Sequence, residues 1–217
     1  MTERGKKVFV VRNRLSKRDI ADADIALQNV KKDNQFVRIA YFSGTPSHNK
    51  DFATITGALS IVMDRYPKVR LVLAGPLDPQ DALARRFEDR IDRVPFASRP
   101  EHFKNIAAVH INLAPLEIGN PFCESKSELK WFEAGAVGVP TVAASTEPFR
   151  EAIIDGVDGF VASTEEEWVA KLGILVEDEA FRLAMGQKAR TRVLAEYTTE
   201  HANDSEYVAY LREKMKK

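Results

Sequence analysis

Short apolar runs alternate with amphipathic stretches from Val37 onward, and this alternation predicts a succession of strands and helices. VRIAYFSG, RLVLAGP, HINLAPL, PTVAAS and GFVAS read as strands, and RVPFA as a weaker one. DFATITGALSIVMDRYP places Phe52, Ile55, Leu59, Met63 and Tyr66 on one face of a single amphipathic helix that Pro67 stops. DPQDALARRFEDR, RPEHFKNIAAV and EPFREAIIDG supply further helical stretches between the strands. Ahead of them, KKVFVVRN reads as an opening strand or a linker, and SKRDIADADIALQNVKKDN as a helix or irregular arm. Toward the end, Ser163 with Glu166, or Thr164 with Glu167, offers a capping box for a helix carrying Trp168, Leu172 and Leu175. DEAFRLAMGQKARTRVLAEY continues as a long amphipathic helix, and DSEYVAYLREKMKK as a final one. Their Met and aromatic stripes read as core.

Strands and helices that recur every 20 to 30 residues or so indicate βα units around a buried parallel sheet, the α/β class. The expected organisation is a strand and irregular or helical arm over 1–36, the α/β domain over 37–197, and a helical tail over 198–217. Ligands of such sheets bind beyond the C-terminal ends of the strands, so the loops after Gly44, Pro115 and Ser145 are expected to face one crevice.

The richest chemistry lies in Asn120 to Pro140, NPFCESKSELKWFEAGAVGVP. If Lys126 begins a helical turn, Lys126, Lys130 and Glu133 follow at intervals of four and three and share one face. Leu129, Phe132 and Ala136 then form a neighbouring apolar stripe. Glu124, Ser125 or Ser127 would cap the start, and Gly138 with Pro140 would stop the helix. Two cations beside free helix N–H groups suit a phosphate, and a carboxylate a turn or two further on accepts hydrogen bonds from sugar hydroxyls. Spacing alone is equally compatible with an ordinary solvated helix face, where Lys and Glu commonly sit three or four apart.

Composition narrows the classes. The chain has 217 residues, 44% of them hydrophobic, enough to bury a substantial core. Its 32 basic and 32 acidic residues balance, which removes any global attraction to nucleic acid or anionic lipid. A single cysteine, Cys123, excludes an intrachain disulfide framework and makes a reducing, cytoplasmic setting the default. No run approaches the roughly 20 apolar residues of a membrane span, and VFVV is too brief for a signal-peptide core. His48, His102, His110 and His201 lack zinc-ligand spacing and the acidic residues form no compact magnesium cluster, so no metal is expected. Cys123 has no sequence-near base to activate it as a nucleophile. His48, in a strand-end loop, is a candidate for a hydrogen bond to a donor phosphate or sugar, with loop packing as the plainer role; His110 reads as structural.

Taken together, SGTPSHNKDF, LVLAGPLD, INLAPL, PFCESKSELKWFEAGAVGVPTVAAS and EPFREAIIDGVDGFVA resemble the donor-binding C-terminal half of retaining glycosyltransferases of the group 1 type, in the branch that builds bacterial polysaccharides and glycans. The similarity runs in order from about Val37 to Tyr197, and EAGAVGVPTVAAS is its most specific part. It implies a Rossmann-like three-layer domain with a mostly parallel sheet, one half of a GT-B fold, followed by C-terminal helices. It also implies that Lys50 contacts the donor diphosphate and that Glu133 receives the nucleotide ribose hydroxyls. Ser125 stands where the family's first carboxylate lies, eight residues before Glu133, with Glu124 beside it. Thr45 stands where an arginine often follows the glycine, here Gly44. Lys126, Ser127 and Lys130 around the helix start are therefore expected to share the diphosphate with Lys50, with sugar or loop contacts from Gly44, Thr45, His48, Glu117 and Glu124.

A nucleoside diphosphate leaving group gathers negative charge as the anomeric C–O bond breaks, and preorganised cations and amide donors stabilise it. The implied donor is a nucleoside-diphosphate sugar, with no other cofactor, and the implied acceptor is a glycan or lipid-linked acceptor presented by a second, N-terminal domain. No catalytic nucleophile is assigned. The resemblance places the full-length protein in the cytoplasm, with peripheral association at the inner membrane. A nucleotide-sugar epimerase half-domain and a noncatalytic nucleotide- or carbohydrate-binding module stay open beside this reading, because fold does not fix function.

Overall fold

The computed structural model describes residues 7–33, 35–45, 48–77, 81–202 and 205–216. Parts of SGTPSHNKDF (46–47), of LVLAGPLD and DPQDALARRFEDR (78–80), of DSEYVAYLREKMKK (204 and 217) and the first six positions lie outside them. In chain order the elements are α1 (Lys17–Asn29), β1 (Val37–Phe42), α2 (Asn49–Ala53), α3 (Thr56–Arg65), β2 (Val69–Ala74), α4 (Asp81–Phe87), β3 (Ile91–Val94), α5 (Arg99–Ala107) and β4 (Ile111–Ala114). They continue with α6 (Pro121–Glu124), α7 (Leu129–Ala136), β5 (Thr141–Ala144), α8 (Glu147–Ala152), β6 (Phe160–Ala162), α9 (Glu165–Glu177), α10 (Glu179–Glu196) and α11 (Ser205–Met215).

The six strands form one sheet in the order β3-β2-β1-β4-β5-β6, and every pairing is parallel. Val37 to Phe42 pair residue for residue with Val69 to Ala74. The strands are nearly unbroken apolar runs because helices cover both faces, leaving no face to be polar. α3 packs with α4 and α9, while α1, α5, α7 and α10 contact one another in sequence as the second layer. The core spans both interfaces, with Tyr41, Phe52, Phe103, Trp131, Phe132 and Phe149 among its largest fully buried side chains. Chain order reverses between β1 and β4, and this switch point opens a crevice at the C-terminal strand ends.

Several expectations shift. KVFVV forms no strand: residues 7–14 run without regular structure, and only Leu15 makes an isolated bridge, to Thr198. That stretch instead leans on the tail, with Phe9 against the rings of Tyr207 and Tyr210. The single helix expected over 51–66 is two helices. The Thr54 hydroxyl bonds the Asp51 carbonyl at 2.6 Å and the Thr56 hydroxyl bonds the Ala53 carbonyl at 3.1 Å, giving the backbone a local alternative at the break. Phe52, Ile55, Leu59 and Met63 still reach the core on either side of it. The weak strand RVPFA is displaced to Ile91–Val94, since Pro95 has no N–H to extend the ladder. Of the two capping boxes, Thr164 caps α9, accepting from the Glu167 N–H, and Glu167 reaches back to the Ser163 N–H. Among the described residues no helix is long and apolar enough to cross a membrane.

Candidate functional site

The helix expected to begin at Lys126 begins three residues later. Pro121 and the Asn120 side chain start the short α6 instead, and Lys126 and Ser127 lie in the turn between α6 and α7. Glu128 occupies the N-cap of α7, so neither Glu124, Ser125 nor Ser127 caps it, and among the described residues no side-chain cap bonds its first N–H groups. The register still brings Lys126, Ser127 and Lys130 to one place. They line the crevice with His48 and Asp51 from the β1–α2 side and Pro115 after β4. Val137 and Gly138 end α7, with Gly138 in the left-handed region at φ 64°.

Lys130 reaches across the end of β1, donating to the Phe42 carbonyl with its ammonium 5.0 Å from the centre of the Tyr41 ring. Burial is the main reason its pKa falls to about 8; Glu133 and Asp51 pull the other way and Lys126 adds to the depression. A desolvated ammonium beside uncapped helix N–H groups is an anion site in waiting. Lys126 is not free: its ammonium lies 2.7 Å from the Asp51 carboxylate, which is only 2% exposed. Cys123 donates to the other Asp51 oxygen at 3.4 Å. Ser127 accepts from the Asn13 side chain at 3.0 Å, and Arg12 bridges the buried Glu128 and the exposed Glu151, so the N-terminal segment holds this turn.

A second lobe opens on the other side of Lys130, lined by Gly44, Gly75, Phe96, Arg99, His102 and Glu133. Gly75 has φ 84°, and a Cβ there would stand 2.0 Å from the Ser43 carbonyl oxygen, so the two strand ends close to this distance only with glycine. Glu133 is 5% exposed and held at both oxygens: Arg99 donates to Oε1, and His102 Nε2 lies 3.2 Å from Oε2. Burial alone would raise its pKa, but the His102 hydrogen bond and the charges of His102 and Arg99 outweigh it and hold the carboxyl below its ordinary range. His48 lines both lobes, with Nδ1 3.3 Å from the Ser43 hydroxyl. Burial first, then Lys130 and Lys126, lowers its pKa and favours the neutral ring.

The other sequence candidates are placed as follows. Gly44 and Thr45 are exposed at the crevice rim, the Thr45 carbonyl accepting from Ser43 at 2.9 Å. Lys50 is exposed on α2 and stands outside the lining of both lobes, because Asp51 and Phe52 are the residues this short helix turns inward. Glu124 accepts from the Gly119 and Glu147 N–H groups at 3.0 and 2.8 Å, and those two bonds lower its pKa; it ties the β4 loop to α8. Glu117 lies beside Asp51 and Cys123, one ligand-type atom of each within 4.8 Å of the others. Burial and Asp51 push the Cys123 thiol up, and Lys126 pairs with the Asp51 carboxylate of this trio.

Asp51, Arg99 and His102 were missed by sequence reasoning. Asp51 adjoins Lys50 in the quoted motif, so the motif itself was the signal. Arg99 and His102 sit in a plain amphipathic helix with no motif to mark them.

A family model described as glycosyl transferase-like matches residues 58–205, more than half of the chain. No curated protein sequence gives a match. The C-terminal domain of a glycosyl transferase group 1 family protein, LpcC, from Francisella tularensis is similar in fold, with TM-score 0.58 and 18% identity over 87% of this chain and 97% of that one. Sucrose-phosphate synthase from Thermosynechococcus elongatus gives TM-score 0.71 and 19% identity over 96% of this chain and 53% of its own. HepE from Anabaena, solved with UDP and glucose, gives TM-score 0.66 and 17% identity over 91% and 53%. The chain thus spans about half the length of the last two.

Proposed function

Because the chain belongs to the glycosyl transferase-like family, we propose that it is the donor-binding domain of a glycosyltransferase and that its ligand is a nucleoside-diphosphate sugar. The observation that carries this reading is the convergence at the β1/β4 switch point of Lys126, Lys130 and the uncapped start of α7 with the buried carboxylate of Glu133 on the same helix. The diphosphate lies against Lys126, Ser127 and Lys130, and the ribose hydroxyls donate to Glu133. In the transition state the charge developing on the leaving diphosphate meets cations that are already fixed, Lys126 by Asp51 and Lys130 by the Phe42 carbonyl. His48, at the junction of the lobes, suits a neutral hydrogen-bonding contact to phosphate or sugar.

Transfer to a glycan or lipid-linked acceptor, with retention of anomeric configuration, requires in this reading a second α/β domain that closes on the crevice. The half-length match to the sucrose-phosphate synthase and HepE chains supports it. The chain alone then binds donor and transfers nothing, with no metal or further cofactor.

Calorimetric titration with UDP, GDP, dTDP and their diphosphosugars tests the proposal. One nucleotide should saturate, and Lys126→Ala and Glu133→Ala should each weaken it. Absence of binding at millimolar ligand would refute an independently competent donor site. Inversion of a sugar centre without acceptor, when the second domain is supplied, would instead identify an epimerase.

A further inference from the structure

The carboxylate of Glu133 is held from two directions by one helix. Arg99, the first residue of α5, donates to Oε1, and His102, one turn on, meets Oε2 at 3.2 Å. Arg99 is fixed in turn. Its Nε donates to Asp19 on α1 at 2.7 Å, and its guanidinium stacks 4.8 Å from the centre of the Phe103 ring. Asp19 is itself locked into the start of α1, accepting from the Ser16 N–H and hydroxyl at 2.8 and 2.7 Å. A guanidinium bridging two carboxylates through different nitrogens needs a planar fork, which lysine lacks.

We propose that Arg99 is a positioning residue for the donor site: with Asp19 behind it and His102 beside it, Arg99 orients Glu133 as the acceptor of the ribose hydroxyls and so sets the preference of the site for ribonucleotides. This inference rests on the donor-site reading above. One donor on each oxygen fixes the plane of the carboxylate, and each oxygen keeps a further acceptor direction for the ligand. The groups facing Glu133 are Arg99 and His102 from α5 and Lys130 from its own helix, with Asp19 of α1 behind Arg99. Removing Arg99 takes the donor from Oε1 of a carboxylate that is only 5% exposed and leaves His102 as the remaining α5 partner that fixes it.

The test is titration of wild type, Arg99→Gln and Asp19→Asn with UDP and GDP, each beside its 2′,3′-dideoxy counterpart, with thermal melts confirming that each variant is folded. For whichever base binds, Arg99→Gln should lose about tenfold or more in affinity for the ribonucleotide, the range of a hydrogen bond to a charged group. It should leave the dideoxy nucleotide unchanged, so that the ratio between the two collapses. Asp19→Asn, which keeps Arg99 but loosens it, should move the ratio in the same direction by less. Equal loss of both nucleotides would make Arg99 a general support of the cleft and overturn the proposal. A tighter ribonucleotide would make Arg99 a competitor of the ribose and overturn it as well. Wild type that binds both forms alike would refute the ribose role of Glu133 while leaving the donor site standing, whereas wild type that binds neither UDP nor GDP would remove the donor-site reading itself.

Discussion

Replacing Lys130 by methionine should stabilise the fold while it abolishes the proposed ligand site. The folded pKa of Lys130 is lowered to about 8 from an ordinary 10.5, chiefly by burial. The unfolded chain therefore binds more protons than the native one between those values, and wild-type stability rises with pH across that window. At pH 7 the strain is fully present and amounts to about 3 kcal/mol, from 1.4 kcal/mol per pKa unit. At pH 9.5 the same linkage leaves about 1.5 kcal/mol. Methionine fills a similar volume without the charge, and the hydrogen bond lost at the Phe42 carbonyl subtracts an amount that does not depend on pH. Urea unfolding of both proteins at pH 7 and 9.5 measures the difference. Lys130→Met should gain most at pH 7, and its advantage should shrink by about 2 kcal/mol at pH 9.5. An advantage that is the same at both pH values would show that the ammonium is not desolvated and would remove the physical basis for Lys130 as a poised cation.

If a diphosphate binds against Lys130, the lysine is recharged on binding. At pH 8.5 calorimetry in two buffers of different ionisation enthalpy should report proton uptake that vanishes at pH 6.5. Gly186→Ala should lower the melting temperature: its Cβ would lie 2.1 Å from the Gly138 carbonyl oxygen where α10 meets the end of α7, an overlap worth about 1–3 kcal/mol. Arg192→Ala should cost about 3–5 kcal/mol in chemical denaturation, because it strips the 2.6 Å ion pair from Asp158, whose side chain is 2% exposed; a cost below 1 kcal/mol would mean that water reaches Asp158. Arg12→Ala should cost less than Arg192→Ala in the same assay, since Arg12 is itself 39% exposed, although it strips a partner from the buried Glu128.

The strand sequence and the sheet class were written in the chain because a strand buried on both faces must be an apolar run whatever its neighbours do. VRIAYF, RLVLA, INLA and TVAA accordingly each appear as strands within a residue or two of their expected limits. The lysine-rich segment was legible as chemistry for a related reason. Charged residues crowded beside WFEAGAVGVP stand out against a stretch that has to be buried. Local backbone competition was harder to read. The hydroxyls of Thr54 and Thr56 split one amphipathic pattern into two helices, and the hydrophobic period is the same on both sides of the break.

What the sequence could not supply was the partner of each site residue, since partners come from distant positions. Lys126 is fixed by Asp51 across 75 residues and Glu133 by Arg99 across 34, and neither pairing leaves a local pattern. The same holds for the order β3-β2-β1-β4-β5-β6, which places the crevice between β1 and β4. The sequence by itself determined which segments are strands and helices, because burial imposes a periodicity that each segment carries alone. The tertiary structure alone decided which charges meet, because that depends on how the crossovers stack the strands and on which side of each short helix faces the crevice.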